Sequence, residues 1–230
     1  LTMTSKKFDN LFGQKVRDSK HEKLTQFHMD IAASIQKVTE DIMIKLIKSL
    51  KKEFNIPNLC LAGGVALNCV ANGKILKEKI FDNIWVQPAA GDAGGSLGAT
   101  LALWHIENKN PRIINPEDDM KGSYLGPEYG QKEIEKELIK NGAKFDVLDD
   151  NMLIEKTATD LSCSEAVGWF QGRMEFGPRA LGGRSILGDP RSSETQKNLN
   201  LKVKYRESFR PFAPSILKEN LTEWFDISVD

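Results

Sequence analysis

The chain has 230 residues, 40% of them hydrophobic and 28% charged, with 32 Lys and Arg against 32 Asp and Glu. That composition belongs to one large or two small globular domains, and zero net charge leaves no long-range field to hold nucleic acid or a membrane surface. No apolar run approaches the roughly 20 residues of a spanning helix, and no signal peptide opens the sequence.

Three cysteines, Cys60, Cys69 and Cys163, form no CxxC pair and stand among apolar neighbours. Buried, reduced thiols in a cytoplasmic protein are expected. The chain starts at Leu1 without a strand or cap signal, and is expected to be part of something longer.

Residues 5–23 are polar and predict a loop or irregular arm. From 24 to 54 apolar residues recur at helical steps: Leu24, Phe27, Ile31, Ile35, Val38, Ile42, Leu46 and Leu50. Asn55-Ile56-Pro57-Asn58 ends that helix. A short strand over Leu59–Ala62 then meets Gly63-Gly64, and a helix is predicted from about Val65 to Lys79. Ile84–Val86 is a second buried strand, followed by the glycine loop Pro88–Ser96 and a helix from about Gly95 to Ile106. This alternation is an α/β signature. Asn108–Tyr129 has no period and is rich in Asn, Pro, Asp and Gly, which places a domain boundary there. Beyond it come a helix (Gln131–Lys140), a strand (Phe145–Leu148), a helix (Met152–Ser162), a buried strand (Ala166–Phe170) and a helix (Ser193–Leu201) with Ser193 as its N-cap. The domains expected are 1–115 and 116–230.

Three motifs carry candidate chemistry. In Leu61–Asn68, Gly63 and Gly64 let a strand-to-helix turn approach a flat or anionic ligand; an ordinary turn is the bland alternative. In Gly91-Asp92-Ala93-Gly94-Gly95-Ser96, a carboxylate at a strand's C-terminal edge suits a metal or a ligand hydroxyl; a helix-capping aspartate is the alternative. The third is Met174–Pro214. Of eight arginines in the chain, six (Arg173, Arg179, Arg184, Arg191, Arg206, Arg210) lie in or beside it. A solvated basic face is the bland alternative. Against it, the cations are mostly Arg, interleaved with Phe176, Gly177, Pro178, Phe209, Pro211 and Phe212. Guanidinium forks match phosphate and carboxylate, so a polyanionic small molecule is the expected ligand. The histidines (His21, His28, His105) have no metal-ligand spacing. No Walker A, GxSxG or activated Cys–His pair occurs, so chemistry would rest on positioning and charge stabilisation.

The runs LAGGVALNCVANGKI, IWVQPAAGDAGGSLGATLALW, GWFQGRMEFGPRALGGRSILGDPR and VKYRESFRPFAPSIL, in that order, resemble the NodU/CmcH-type carbamoyltransferase family over about Leu24 to Trp224. The resemblance implies the second half of a domain of the sugar-kinase/actin/Hsp70 superfold (ASKHA), followed by the start of an α/β YrdC-like domain. It implies O-carbamoylation of a small-molecule acceptor (a sugar, antibiotic or nodulation factor) from carbamoyl phosphate and ATP through carbamoyladenylate. Gly63, Gly64 and Asn68, with Gly91, Gly94 and Gly95, would line the nucleotide or carbamoyladenylate loops. Asp92 would complete a site for Fe(II) or another divalent metal. Arg173, Arg179 and Arg184 would grip carbamoyl phosphate and the ATP phosphates beside the catalytic Lys204, Arg206 and Arg210. Two positions depart from the family's usual ALGNRSILADPR, with Gly183 for Asn and Gly188 for Ala. The family's HxxxH metal pair and its later LNTSFN-like segment are not in these 230 residues, so neither active site is expected to be complete and the piece alone is expected to be inactive. A homodimer through an uncovered sheet edge is also expected. Readings kept beside this one are a tRNA threonylcarbamoyladenosine or hydrogenase-maturation carbamoyltransferase, and a non-catalytic nucleotide-binding module.

Overall fold

The computed structural model describes residues 4–226. It contains helices and two small sheets, consistent with the α/β class, and divides into two compact units, one up to Ser96 and one from Leu97. No helix among the described residues is long and apolar enough to cross a membrane.

The first unit is built on α2 (Gln26–Phe54), preceded by α1 (Lys6–Phe12) where a loop was expected. Thr25 opens α2: its backbone N–H donates to His28 Nδ1 at 3.1 Å, and its hydroxyl lies 2.8 Å from the same nitrogen. Reciprocal bonds of this kind satisfy donors that a helix start leaves free. Asn55 closes the helix in the left-handed conformation, φ 47°. Strands β1 (Asn58–Leu61) and β2 (Asn83–Val86) pair in parallel, Leu59 opposite Ile84, with α3 (Cys69–Lys77) as the crossover. The core is Ile47, Leu59, Ile75 and Phe81, with Met43, Ile44, Leu61, Ile80 and Ile84 packed around it. The stripe that predicts α2 is therefore not the face that packs. Ile35, Val38, Ile42 and Leu46 are exposed, because α2 is apolar on two faces and the sheet takes the one centred on Ile47.

Two turns differ from expectation for backbone reasons. The helix expected from Val65 is a 3-10 turn (Gly64–Leu67) followed by α3, because the Asn68 side chain accepts from Ala71 N at 3.1 Å and starts a new helix. The next helix, α4, runs Asp92–Ala102 and widens into a π turn over Leu103–Glu107.

The second unit holds α5 (Gln131–Lys140), α6 (Asp150–Ser162), and an antiparallel pair of β3 (Val167–Phe170) with β4 (Arg184–Leu187). Residues 145–148 are not a strand; they lead to Asp149, whose side chain caps α6 by accepting from Met152 N at 2.9 Å. Strand β4 lies inside the arginine-rich stretch, where no strand was expected. The helix expected over Ser193–Leu201 is the short α7 (Thr195–Asn198) plus a π turn, Leu199–Val203, and its N-cap residue is Glu194 rather than Ser193. The chain ends its described part at α8 (Leu221–Trp224). All three cysteines are free and exposed, not buried: Cys60 lies on the open side of β1, opposite buried Leu59, and Cys163 lies in an exposed turn after α6.

Candidate functional site

The two glycine loops meet at the C-terminal ends of β1 and β2. Gly63 sits at φ 96°, a conformation costly for any residue with a Cβ, and its N–H donates to Ala90 O at 2.8 Å. Gly94 allows α4 to start against the preceding turn, since a Cβ there would lie 2.2 Å from Ala89 O. The Gly63–Ala90 bond joins the two loops, and Gly94 and Gly95 lie in the first turn of α4. Asn68 is spent elsewhere. Besides capping α3, it exchanges hydrogen bonds with Gln36 at 2.8 and 3.2 Å, and Gln36 donates on to Glu40 at 2.8 Å. Glu40 is buried and pairs with Lys74, which holds its carboxyl below the usual carboxylate range.

Asp92 opens α4 with an exposed carboxylate that has no partner among the described residues. No group of three or more His, Cys, Asp or Glu side chains able to hold a metal forms among those residues. A divalent ion needs several ligands, so the described residues do not by themselves make a metal site, and no step below runs through a metal.

The second unit places the arginines on two loops, each built around a buried polar side chain that sequence reasoning passed over. In the first loop the centre is Glu175, 3% exposed. Its Oε1 accepts from Leu181 N and Gly183 N, both at 2.7 Å, and its Oε2 accepts from Arg184 Nε at 2.9 Å. Burial alone would raise this carboxyl. The Arg184 guanidinium and the two N–H donors outweigh it and hold the pKa at about 2. The segment 123–126 grips the loop's start: Ser123 Oγ donates to Phe176 O at 3.0 Å, Phe176 N to Ser123 O at 2.7 Å, and Gly126 N to Met174 O at 2.9 Å. Gly183 is packed so closely that a Cβ would lie 3.0 Å from Arg173 O.

Arg184 therefore faces inward. Besides Glu175 it donates through Nη2 to Gly177 O at 2.9 Å and Arg179 O at 3.4 Å. Arg173 donates to Gly126 O at 2.8 Å and lies 3.5 Å from Glu128. Arg179 differs from both: it is exposed and its guanidinium has no partner among the described residues.

The second loop turns on Asn200, which is fully buried. Its amide donates to Ser208 O at 3.1 Å and Arg210 O at 2.8 Å, and its Oδ1 accepts from Arg206 Nε at 2.6 Å. Arg206 is stacked on Phe212, 4.9 Å from the ring centre, while Arg210 pairs with Glu207 at 2.8 Å. Lys204 follows the π turn with an exposed ammonium that has no partner among the described residues. Leu199 seats this loop on the end of β4, where Gly188 leaves room: a Cβ there would come within 2.9 Å of Leu199 and Thr195. Arg191 is held by Asp189, whose carboxyl it lowers.

The described residues thus form an α/β chain that presents cations from loops whose backbones are fixed by glycines and buried polar side chains. The comparisons with known proteins say which family it belongs to. Residues 1–101 match the carbamoyltransferase N-terminus model and residues 158–230 the carbamoyltransferase C-terminus model. An uncharacterized protein of Synechocystis sp. is 56% identical over 99% of the chain and 37% of its own length. Nodulation protein NolO of Bradyrhizobium diazoefficiens is 43% identical over 88% of the chain and 36% of its own length. Nodulation protein NolNO of Sinorhizobium fredii is 41% identical over 88% and 29%. The chain belongs to the carbamoyltransferase family. It spans about a third of the length of these relatives.

Proposed function

We propose that the full-length protein is an O-carbamoyltransferase that uses carbamoyl phosphate and ATP, through carbamoyladenylate, to modify a hydroxyl of a small-molecule acceptor. The arginine loops of this chain bind the phosphates, and the glycine loops belong to the transfer domain of sugar-kinase/actin/Hsp70 type. Family membership, shared with relatives named as nodulation proteins, supports the reaction class.

The observation that carries the phosphate site is the contrast among its cations. Arg184 is consumed by the scaffold, whereas Arg179 and Lys204 stand exposed and unpaired among the described residues, on loops whose backbones are already fixed. A cation held by a rigid backbone and not neutralised by its own chain binds phosphate without a large ordering cost. Arg206 is likewise fixed, by Asn200 and Phe212, with guanidinium nitrogens beyond Nε left over. In the reaction these groups orient the phosphates and offset charge that builds on the leaving pyrophosphate.

The test is carbamoyl-phosphate-dependent release of pyrophosphate from ATP by the full-length protein. Losing a charged contact costs roughly 2–5 kcal/mol, so Arg206→Ala should slow release about 30-fold or more. Release at the wild-type rate would reject the assignment.

A further inference from the structure

We propose that Glu175 is a positioning residue for this site, fixing the backbone on both sides of Arg179 so that its guanidinium is presented to the ligand's phosphate. The inference rests on the phosphate-site reading above.

The backbone around Arg179 is pinned four times. Arg184 Nη2, itself aligned by Glu175, donates to Gly177 O and to Arg179 O. Glu175 Oε1 takes the N–H of Leu181, and Tyr124 Oη donates to Leu181 O at 2.8 Å. Three of these four bonds depend on one buried carboxylate. The loop is also one that would not hold this path unaided, because Gly177 and Gly182 sit at φ 102° and 114°, far from where an ordinary chain settles. The Arg179 side chain contributes nothing to the frame. A frame this costly around a residue that takes no part in it is understandable if the residue's direction matters.

The experiment is a double-substitution cycle read by calorimetric titration of carbamoyl phosphate into the full-length protein, using Glu175→Gln, Arg179→Ala and the pair. Arg179→Ala should weaken binding at least tenfold, Glu175→Gln should weaken it by a similar factor, and the pair should bind no more weakly than Arg179→Ala alone. Multiplying losses in the pair would mean that Glu175 acts on the fold at large, and would overturn the proposal. Weak binding by Arg179→Ala with wild-type binding by Glu175→Gln would overturn it while leaving the phosphate site standing. Wild-type binding by Arg179→Ala would overturn both. Should Glu175→Gln fail to fold, Tyr124→Phe removes the pin on Leu181 without stranding a charge. It should cost about fivefold when Arg179 is present and nothing further when combined with Arg179→Ala; equal losses in both settings would again overturn the proposal.

Discussion

The glycine loops of the first unit and the arginine loops of the second keep their shapes by different means. Around Gly63 and Gly94 the determinant is what is absent: no Cβ, so the chain can take a positive φ or close to van der Waals contact with a carbonyl. Around Arg179 and Arg206 the determinant is a buried polar side chain, Glu175 or Asn200, that collects backbone donors and acceptors from residues far apart along the loop. The first device yields a surface of bare backbone. The second yields a loop that can carry a charged side chain outward without spending it. The difference also bears on Arg184 and Arg179, five residues apart and chemically identical, of which one is structure and the other is free to bind.

Substitutions can break this contrast, beginning with the largest effect. Glu175→Ala leaves Arg184 and two N–H groups without their acceptor, and should destabilise the second unit by roughly 3–5 kcal/mol in urea denaturation. The same carboxyl predicts an acid response. Its folded pKa is about 2 against an ordinary 4.5, so its stabilisation is complete above about pH 4.5 and is lost as pH falls toward 2. Glu175→Gln should remove that component of the acid limb. Gly94→Ala, with its new Cβ aimed at Ala89 O, should cost about 1–3 kcal/mol, and the loss should be centred on the Gly63–Ala90 turn and the start of α4, as hydrogen exchange would show. Asn200→Ala strands Arg206 Nε and two carbonyls and should cost about 1–3 kcal/mol. Arg210→Ala, by comparison, removes an exposed pair with Glu207 and should leave stability within error.

The same contrast marks how far the sequence could be read. Gly63, Gly94 and the strands before them are legible as elements, because a short apolar run followed by a glycine-bearing turn marks where a strand ends. The long α2 is legible from its period, but which face packs is not: two apolar faces compete, and only the sheet's position selects Ile47 over Ile42. Glu175 and Asn200 carry no pattern at all. A lone Glu in a basic stretch reads as a solvated counter-charge, and a lone Asn as a turn residue. Their roles come from partners six to ten residues away, brought near only when β4 and the π turn form. One local clue was available for Glu175: it is among only four acidic residues between Arg173 and Arg210, and it directly precedes the Phe-Gly-Pro turn. The split of α3 at Asn68 was also visible in principle, since Asn is a strong N-cap, but its apolar neighbours favoured an unbroken helix.

The central claim is that Arg179 and Arg206, on separately anchored loops, serve one phosphate-bearing ligand. Calorimetric titration of carbamoyl phosphate into the full-length protein and into Arg179→Ala and Arg206→Ala, with ATP present and absent, tests it most directly. Both substitutions should weaken binding of carbamoyl phosphate about tenfold or more. Wild-type affinity for carbamoyl phosphate in either variant would contradict the account.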